Sequence, residues 1–186
     1  MSNKSRLYFL VGPSGAGKDT LLNEIKTKQY AEKQPLVAHR YITRPRFKND
    51  ENHIELSEFD FNQRKETGLF LFDWSSHGFK YAIGREVKKW VKSGNDVIIN
   101  GSREYLAQAK KIYPDLIPIW ITVSESVLQQ RLIKRGREST LEIENRIQRN
   151  RELESLRPDS SVLINNDQSI EDTVSQIIAL TEMSSI

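Results

Sequence analysis

Gly12-Pro-Ser-Gly-Ala-Gly17-Lys18 sets three glycines and a lysine in the pattern G-x-x-x-x-G-K. Such a loop lets successive backbone N–H groups converge on one centre, and the first turn of a following helix adds partial positive charge. Lys18 adds a full charge where the β- and γ-phosphates of a nucleoside triphosphate lie. The chemistry is phosphate binding with phosphoryl transfer. The expected nucleotide-binding set is Gly12, Pro13, Ser14, Gly15, Ala16, Gly17, Lys18, Asp19 and Thr20, with Lys18 also catalytic. The motif normally continues with a Ser or Thr whose hydroxyl holds Mg²⁺. Asp19 stands there instead, and Thr20 follows about 100° further round the helix. A carboxylate beside a triphosphate is repelled unless a cation lies between them, which makes Asp19 the candidate Mg²⁺ ligand. The alternative is an acidic first-turn residue favoured by the helix dipole. The strand expected to bring the second metal carboxylate ends in neutral Asn100, so Asp19 is expected to carry the charge missing there.

Basic residues crowd into Arg40 to Lys48 and Arg131 to Arg151. Arg44, with its planar fork, suits an acceptor phosphate better than a lysine would, and Arg46 and Lys48 are weaker candidates. Arg40 alternates with His39 along an expected strand, so one of them faces away from the other's surroundings. Tyr81 reads as a half-buried sheet aromatic. His39 and His53 read singly as hydrogen-bonded structural residues, and three histidines without ligand spacing set no metal site. Arg135, Arg137, Arg146 and Arg149 are either a solvated run or a lid; Gly136 between two arginines favours a turn before a capped helix.

The elements that must position these residues alternate. Leu7–Val11 reads as a buried strand, and a helix is expected from Lys18 to about Lys28. Leu36–Tyr41 reads as one strand. Ser57-Glu-Phe-Asp60 has capping-box spacing and opens a helix stopping at Gly68. Leu69–Trp74 and Phe79–Ile83 read as strands joined around His77-Gly78, and Glu86–Ser93 as a helix closed by Gly94. Asp96–Asn100 is a strand, followed by a helix from near Ser102. Leu116–Val123 is a strand in which Pro118 implies a sheet edge or a bulge. Helices follow at Ser126–Lys134 and, behind a second capping box at Ser139–Glu142, to about Leu156. Val162–Asn165 is a last strand before a helix from Ser169. This order implies an α/β fold with a parallel sheet covered on both faces. Residues 41–83 depart from the alternation and read as an inserted lobe.

The 186 residues fit one domain, with a net charge of +3 and no cysteine, hence no disulfide or thiolate metal site. No apolar run approaches the roughly 20 residues of a membrane span, and the N-terminus lacks signal-peptide organisation. These features read as a cytoplasmic protein without membrane contact. No nucleic-acid-binding module shows, and nothing signals an oligomeric state.

Gly12 to Leu21, together with Thr43-Arg44, resembles the guanylate kinases, and the resemblance covers nearly the whole chain. Within them the chain is most similar to the ribose 1,5-bisphosphate phosphokinases of phosphonate breakdown. The residues that carry this are Gly17-Lys18-Asp19, Val37 to Arg44, Glu51 to Glu58, Asn100 to Arg103, Arg131 to Glu138 and Asn165 to Asp167. The resemblance implies a nucleoside-monophosphate-kinase-like P-loop fold over residues 1–186. Its core covers 1–40 and 84–186, with an acceptor lobe at about 41–83 and a lid at about 135–150. It implies ATP as phosphoryl donor, Mg²⁺, and ribose 1,5-bisphosphate as acceptor, yielding 5-phosphoribosyl 1-diphosphate and ADP. Arg135, Arg137 and Arg146 would act catalytically from the lid, and Asn166 and Asp167 would lie at the adenine end. His39, Arg40, Thr43, Arg44, Glu51, Asn52, His53, Tyr81, Ser102 and Arg103 would hold the acceptor. A GMP kinase is the nearest alternative, with Asp73 close to the place of a base-reading carboxylate but Glu51-Asn52-His53 where a tyrosine-containing segment is expected. A catalytically inactive interaction module is the alternative of a different class.

Overall fold

The structure, a computed structural model, describes residues 5–45, 52–136 and 138–183. Leu7–Val11 (β1) is buried at every residue, as a strand flanked on both sides and covered on both faces must be. It is the middle strand of a five-stranded parallel sheet. On one side lie Val97–Asn100 (β7) and then Leu36–Val37 (β2). On the other lie Ile117–Thr122 (β8) and then Val162–Asn165 (β9). Successive side chains point to opposite faces. Tyr8, Leu10, Ile98, Ile119 and Ile121 pack beneath Lys18–Thr27 (α1), Glu125–Arg135 (α5) and Ile170–Met183 (α7). Phe9, Val11, Ile99 and Trp120 pack beneath Glu86–Lys92 (α3) and Leu106–Ile112 (α4). Leu10 pairs with Asn100, so the loops after β1 and β7 leave the sheet side by side. This crevice beyond the carboxyl ends of parallel strands is where open α/β sheets bind ligands.

A second, mixed sheet holds His53–Glu55 (β4), Arg40–Ile42 (β3), Phe79–Gly84 (β6) and Phe70–Ser76 (β5), in that order. Glu58–Glu66 (α2) covers it through Phe61, which packs with Leu56, Phe70 and Ala82. His77 and Gly78 both have positive φ, 50° and 78°, the two-residue hairpin geometry that matches strand twist. Ser57 caps α2 by accepting from the Asp60 N–H. Before Thr140–Glu154 (α6), Ser139 and Glu142 form a complete capping box.

Three expectations change. The strand over Leu36–Tyr41 is two strands, one in each sheet. Ala38 still donates to the Ile98 carbonyl of the parallel sheet, whereas Arg40 donates to Asn52 in the mixed one. Pro118 lies neither on an edge strand nor at a bulge, because β8 runs between β1 and β9 in unbroken register. Pairing with β9 begins only at Ile119, so the missing N–H of Pro118 interrupts no bond on that side. The helix expected from Ser102 starts at Leu106. Residues 102–106 first make tight turns, Tyr105 donating to Ser102 and Leu106 to Arg103. Among the described residues no helix is long and apolar enough to cross a membrane.

Candidate active site

The loop after β1 turns through Gly15 and Gly17, with φ of 92° and 86°, and delivers Lys18 as the first residue of α1. The Lys18 ammonium donates to the carbonyls of Gly12 (2.9 Å) and Pro13 (2.8 Å). Burial pushes its pKa down to about 8; Asp19 opposes the shift, and the charges of Arg103 and Arg40 add to it. The loop is buttressed from behind by Asn166, 2% exposed, whose amide donates to the Ala16 carbonyl at 2.6 Å and whose Oδ1 accepts from Thr173. A Cβ on Gly17 would come within 2.9 Å of that amide nitrogen, so the glycine admits the buttress as well as the turn. Arg131 donates to the Asn166 carbonyl at 2.7 Å.

A cavity of about 540 Å³ opens at the carboxyl ends of β1 and β7. Gly12, Ser14, Lys18 and Asp19 line it from the loop and α1, and Asn100 to Glu104 from the turn after β7. Arg40, Arg44, Trp74 and Tyr81 face it from the mixed sheet, and Glu138, Glu142, Arg146 and Arg149 from the start of α6 and the turn before it. Three of the arginines have partners across the cavity. The Arg40 guanidinium lies 3.5 Å from Asp19 and 5.6 Å over the Tyr81 ring. That ring stacks on Trp74 at 5.6 Å, and Trp74 stacks on Tyr105 at 5.4 Å. Arg146 donates to the Ser14 hydroxyl at 2.7 Å and pairs with Glu138. Arg149 donates to both oxygens of Glu104 at 3.1 Å.

Asp19 and Asn100 meet directly. The Asn100 amide donates to the Asp19 carboxylate at 2.6 Å, and Asn100 Oδ1 is buried without a hydrogen-bond partner. One carboxylate and one orphaned carboxamide oxygen fit a hard cation that takes oxygen ligands and draws the rest from water and phosphate. Among the described residues no group of three His, Cys, Asp or Glu side chains could hold a metal unaided.

Several expected site residues lie elsewhere. His39 sits between the two sheets with its rim against Tyr41 and Trp90 and Nε2 3.3 Å from Glu86; strand alternation turns it away as it turns Arg40 in. Thr43 extends the β3–β6 pairing by accepting from the Lys80 N–H. Asn52 accepts from Lys26, and His53 is buried in β4, both outside the cavity wall. Thr20 is exposed on α1, and Arg135 is exposed at the last turn of α5. Asn166 is consumed as the buttress, whereas Asp167 is exposed and accepts from the Ser124 N–H at 2.8 Å. Glu51, Arg137, Arg46 and Lys48 fall outside the described residues. The lid expected over 135–150 is tied at its far end by Arg149–Glu104 and by Arg103 donating to Asn150. Trp74 and Glu138 were not anticipated. Phe72 and Trp74 share a face of β5, which alternation alone could have signalled, whereas Glu138 reveals itself only through its contact with Arg146.

Lys18 makes the site's cost measurable in the ligand-free chain. Its pKa is about 8 folded against 10.5 unfolded, so between those values the unfolded chain binds more protons and stability rises with pH. Lys18→Met removes this linkage. Denaturation from pH 7 to pH 10.5 should show the parent gaining on the variant by the order of 3 kcal/mol, all of it above pH 8. A difference that does not vary with pH contradicts the buried, destabilised ammonium.

Comparison with known proteins agrees with this geometry. The family described as Guanylate kinase matches residues 4–183. A protein named ribose 1,5-bisphosphate phosphokinase PhnN from Pectobacterium parmentieri is 47% identical over 177 residues, 95% of this chain and 93% of its own. One of the same name from Psychromonas ingrahamii is 42% identical over 96% of this chain and 90% of its own. The crystal structure of guanylate kinase from Anaplasma phagocytophilum superposes with a TM-score of 0.74 over all of this chain and 89% of that one, at 14% identity, a likeness of fold. The chain belongs to the guanylate kinase family and, within it, to the group of the ribose 1,5-bisphosphate phosphokinases.

Proposed function

We propose that this chain transfers the terminal phosphoryl group of ATP to the anomeric phosphate of ribose 1,5-bisphosphate, releasing 5-phosphoribosyl 1-diphosphate and ADP, a step of phosphonate breakdown. The observation that carries this reading is the make-up of the cavity wall. It gathers Lys18, Arg40, Arg44, Arg103, Arg146 and Arg149 around one space. Asp73, the carboxylate that could have read a base edge, is turned instead to Lys65 on the other side of the sheet. The near-full-length identity to relatives of that name supports the acceptor.

The acceptor oxygen belongs to a phosphate and is already anionic at neutral pH, so no general base is required. The obstacle is bringing two polyanions into line, which catalysis meets by positioning and electrostatic stabilisation. In this reading the loop N–H groups and Lys18 hold the β- and γ-phosphates. Arg146, at hydrogen-bonding distance of Ser14, covers the γ-phosphate from α6. Arg44 and Tyr81, in a lobe of about residues 41–83, take the acceptor phosphate together with Arg40 at the lobe's edge. Asp19 and Asn100 would hold Mg²⁺, which when bound offsets charge on the nucleotide phosphates. ATP binding followed by calorimetry across a Mg²⁺ series should show the metal-dependent gain in affinity falling at least tenfold in Asp19→Ser. An unchanged Mg²⁺ dependence would remove Asp19 from the metal site.

The acceptor is tested by kcat/KM. A pocket of cations and hydroxyl-matched polar groups leaves those groups unpaired when the wrong acceptor binds, which discriminates strongly. With Mg²⁺ and ATP, ribose 1,5-bisphosphate should exceed GMP by at least about 10³. Efficient GMP phosphorylation with little turnover of the sugar bisphosphate would make this a nucleoside monophosphate kinase, and no turnover with either would make it an interaction module.

A further inference from the structure

Arg103 is a cavity cation with no carboxylate at ion-pair distance among the described residues. It is 9% exposed and lines the cavity. Its hydrogen bond goes to the neutral carboxamide Oδ1 of Asn150, and its guanidinium lies 6.0 Å from the centre of the buried Trp120 ring. The two carboxylates close enough to influence it are engaged by other groups. Glu104 accepts twice from Arg149, while Glu154 accepts the Trp120 indole N–H at 3.1 Å and pairs with Arg157 at 3.0 Å. Burial pushes the pKa of Arg103 down to about 10, still charged at neutral pH.

A buried charge without a direct ion pair is costly, and a ligand of opposite charge offsets that cost. The position of Arg103 says which ligand. It lies three residues after Asn100, the residue bonded to Asp19, and it lines the same cavity as Gly12, Ser14 and Lys18 of the phosphate loop. It therefore faces the same space as the phosphate loop. It is also held in place: the tight turn at 102–106, the Trp120 face and Asn150 leave its guanidinium oriented before any substrate arrives. Fixed donors of this kind need no reorganisation as charge develops.

We propose that Arg103 is a catalytic residue whose guanidinium binds the phosphates at the point of transfer and stabilises the charge they share in the transition state. The inference rests on the cavity being a phosphate-to-phosphate kinase site. The bond from the β,γ-bridging oxygen to the γ-phosphorus breaks, and ADP leaves with its electron pair. A bond from an acceptor phosphate oxygen to that phosphorus forms, and Arg103 keeps its protons throughout.

The test compares Arg103→Ala, Arg103→Met and Asn150→Ala with the parent chain, using Mg²⁺, ATP and whichever phosphate acceptor the parent turns over. An error in the acceptor and an error in this inference are thus separate results. Both Arg103 variants should lose about 10²–10³ in kcat, while the Kd for ATP from calorimetry stays within threefold. Millimolar guanidinium should restore at least tenfold of the kcat lost by Arg103→Ala and leave the parent unaffected. Asn150→Ala, which frees α6 from Arg103 but keeps the charge, should lose less than tenfold. A kcat within threefold of the parent in Arg103→Ala overturns the proposal. So does a loss in Asn150→Ala as large as in Arg103→Ala with no rescue by guanidinium, since Arg103 would then act only by tying down α6.

Discussion

Like charge crowded into one cavity is the constraint around which this structure is organised. Lys18, Arg40, Arg44, Arg103, Arg146 and Arg149 share a single wall, and their repulsion must be borne before any anion arrives. The fold answers it locally. Lys18 is returned to its own loop carbonyls, Arg40 lies on an aromatic stack, Arg146 bridges Ser14 and Glu138, and Arg149 is clamped by Glu104. Each of these partners is neutral or singly charged, whereas a polyphosphate carries several charges. A polyanion that replaces them binds the folded chain alone and stabilises it by mass action.

The parallel sheet makes this crowding possible. Only where β1 and β7 end side by side can the phosphate loop and the 100–104 turn face one space. The approach is close: a Cβ on Gly101 would lie 2.1 Å from the Phe9 ring. The same proximity joins Asp19 to Asn100. The carboxylate stands in the first turn of α1 and the carboxamide at the end of the neighbouring strand, and the two meet at the crevice.

Features written in contiguous residues were legible in the sequence. The phosphate loop, both helix caps and the His77-Gly78 hairpin depend on neighbours within a few positions, and each stands where local chemistry puts it. What the sequence concealed depends on distant partners. His39 and Arg40 could not be told apart until the chain was seen to change sheets between Ala38 and Arg40. Asn166 was expected beside the nucleotide base, but the packing of α7 on β9 sends its amide under Ala16. Arg103 was expected among the residues that hold the acceptor, and its contacts with Trp120 and Asn150, in two other elements, lie outside anything its neighbours in sequence signal.

The central claim is that phosphate attacks phosphate, with no hydroxyl or water activated. Phosphorus NMR of the chain incubated with Mg²⁺, ATP and ribose 1,5-bisphosphate tests it most directly. The account predicts two mutually coupled signals of a diphosphate ester at C1, an unchanged monoester signal at C5, and ADP formed in equal amount. Coupled signals arising at C5 instead, or ADP formed with inorganic phosphate and no coupled pair beyond those of the nucleotides, would contradict it.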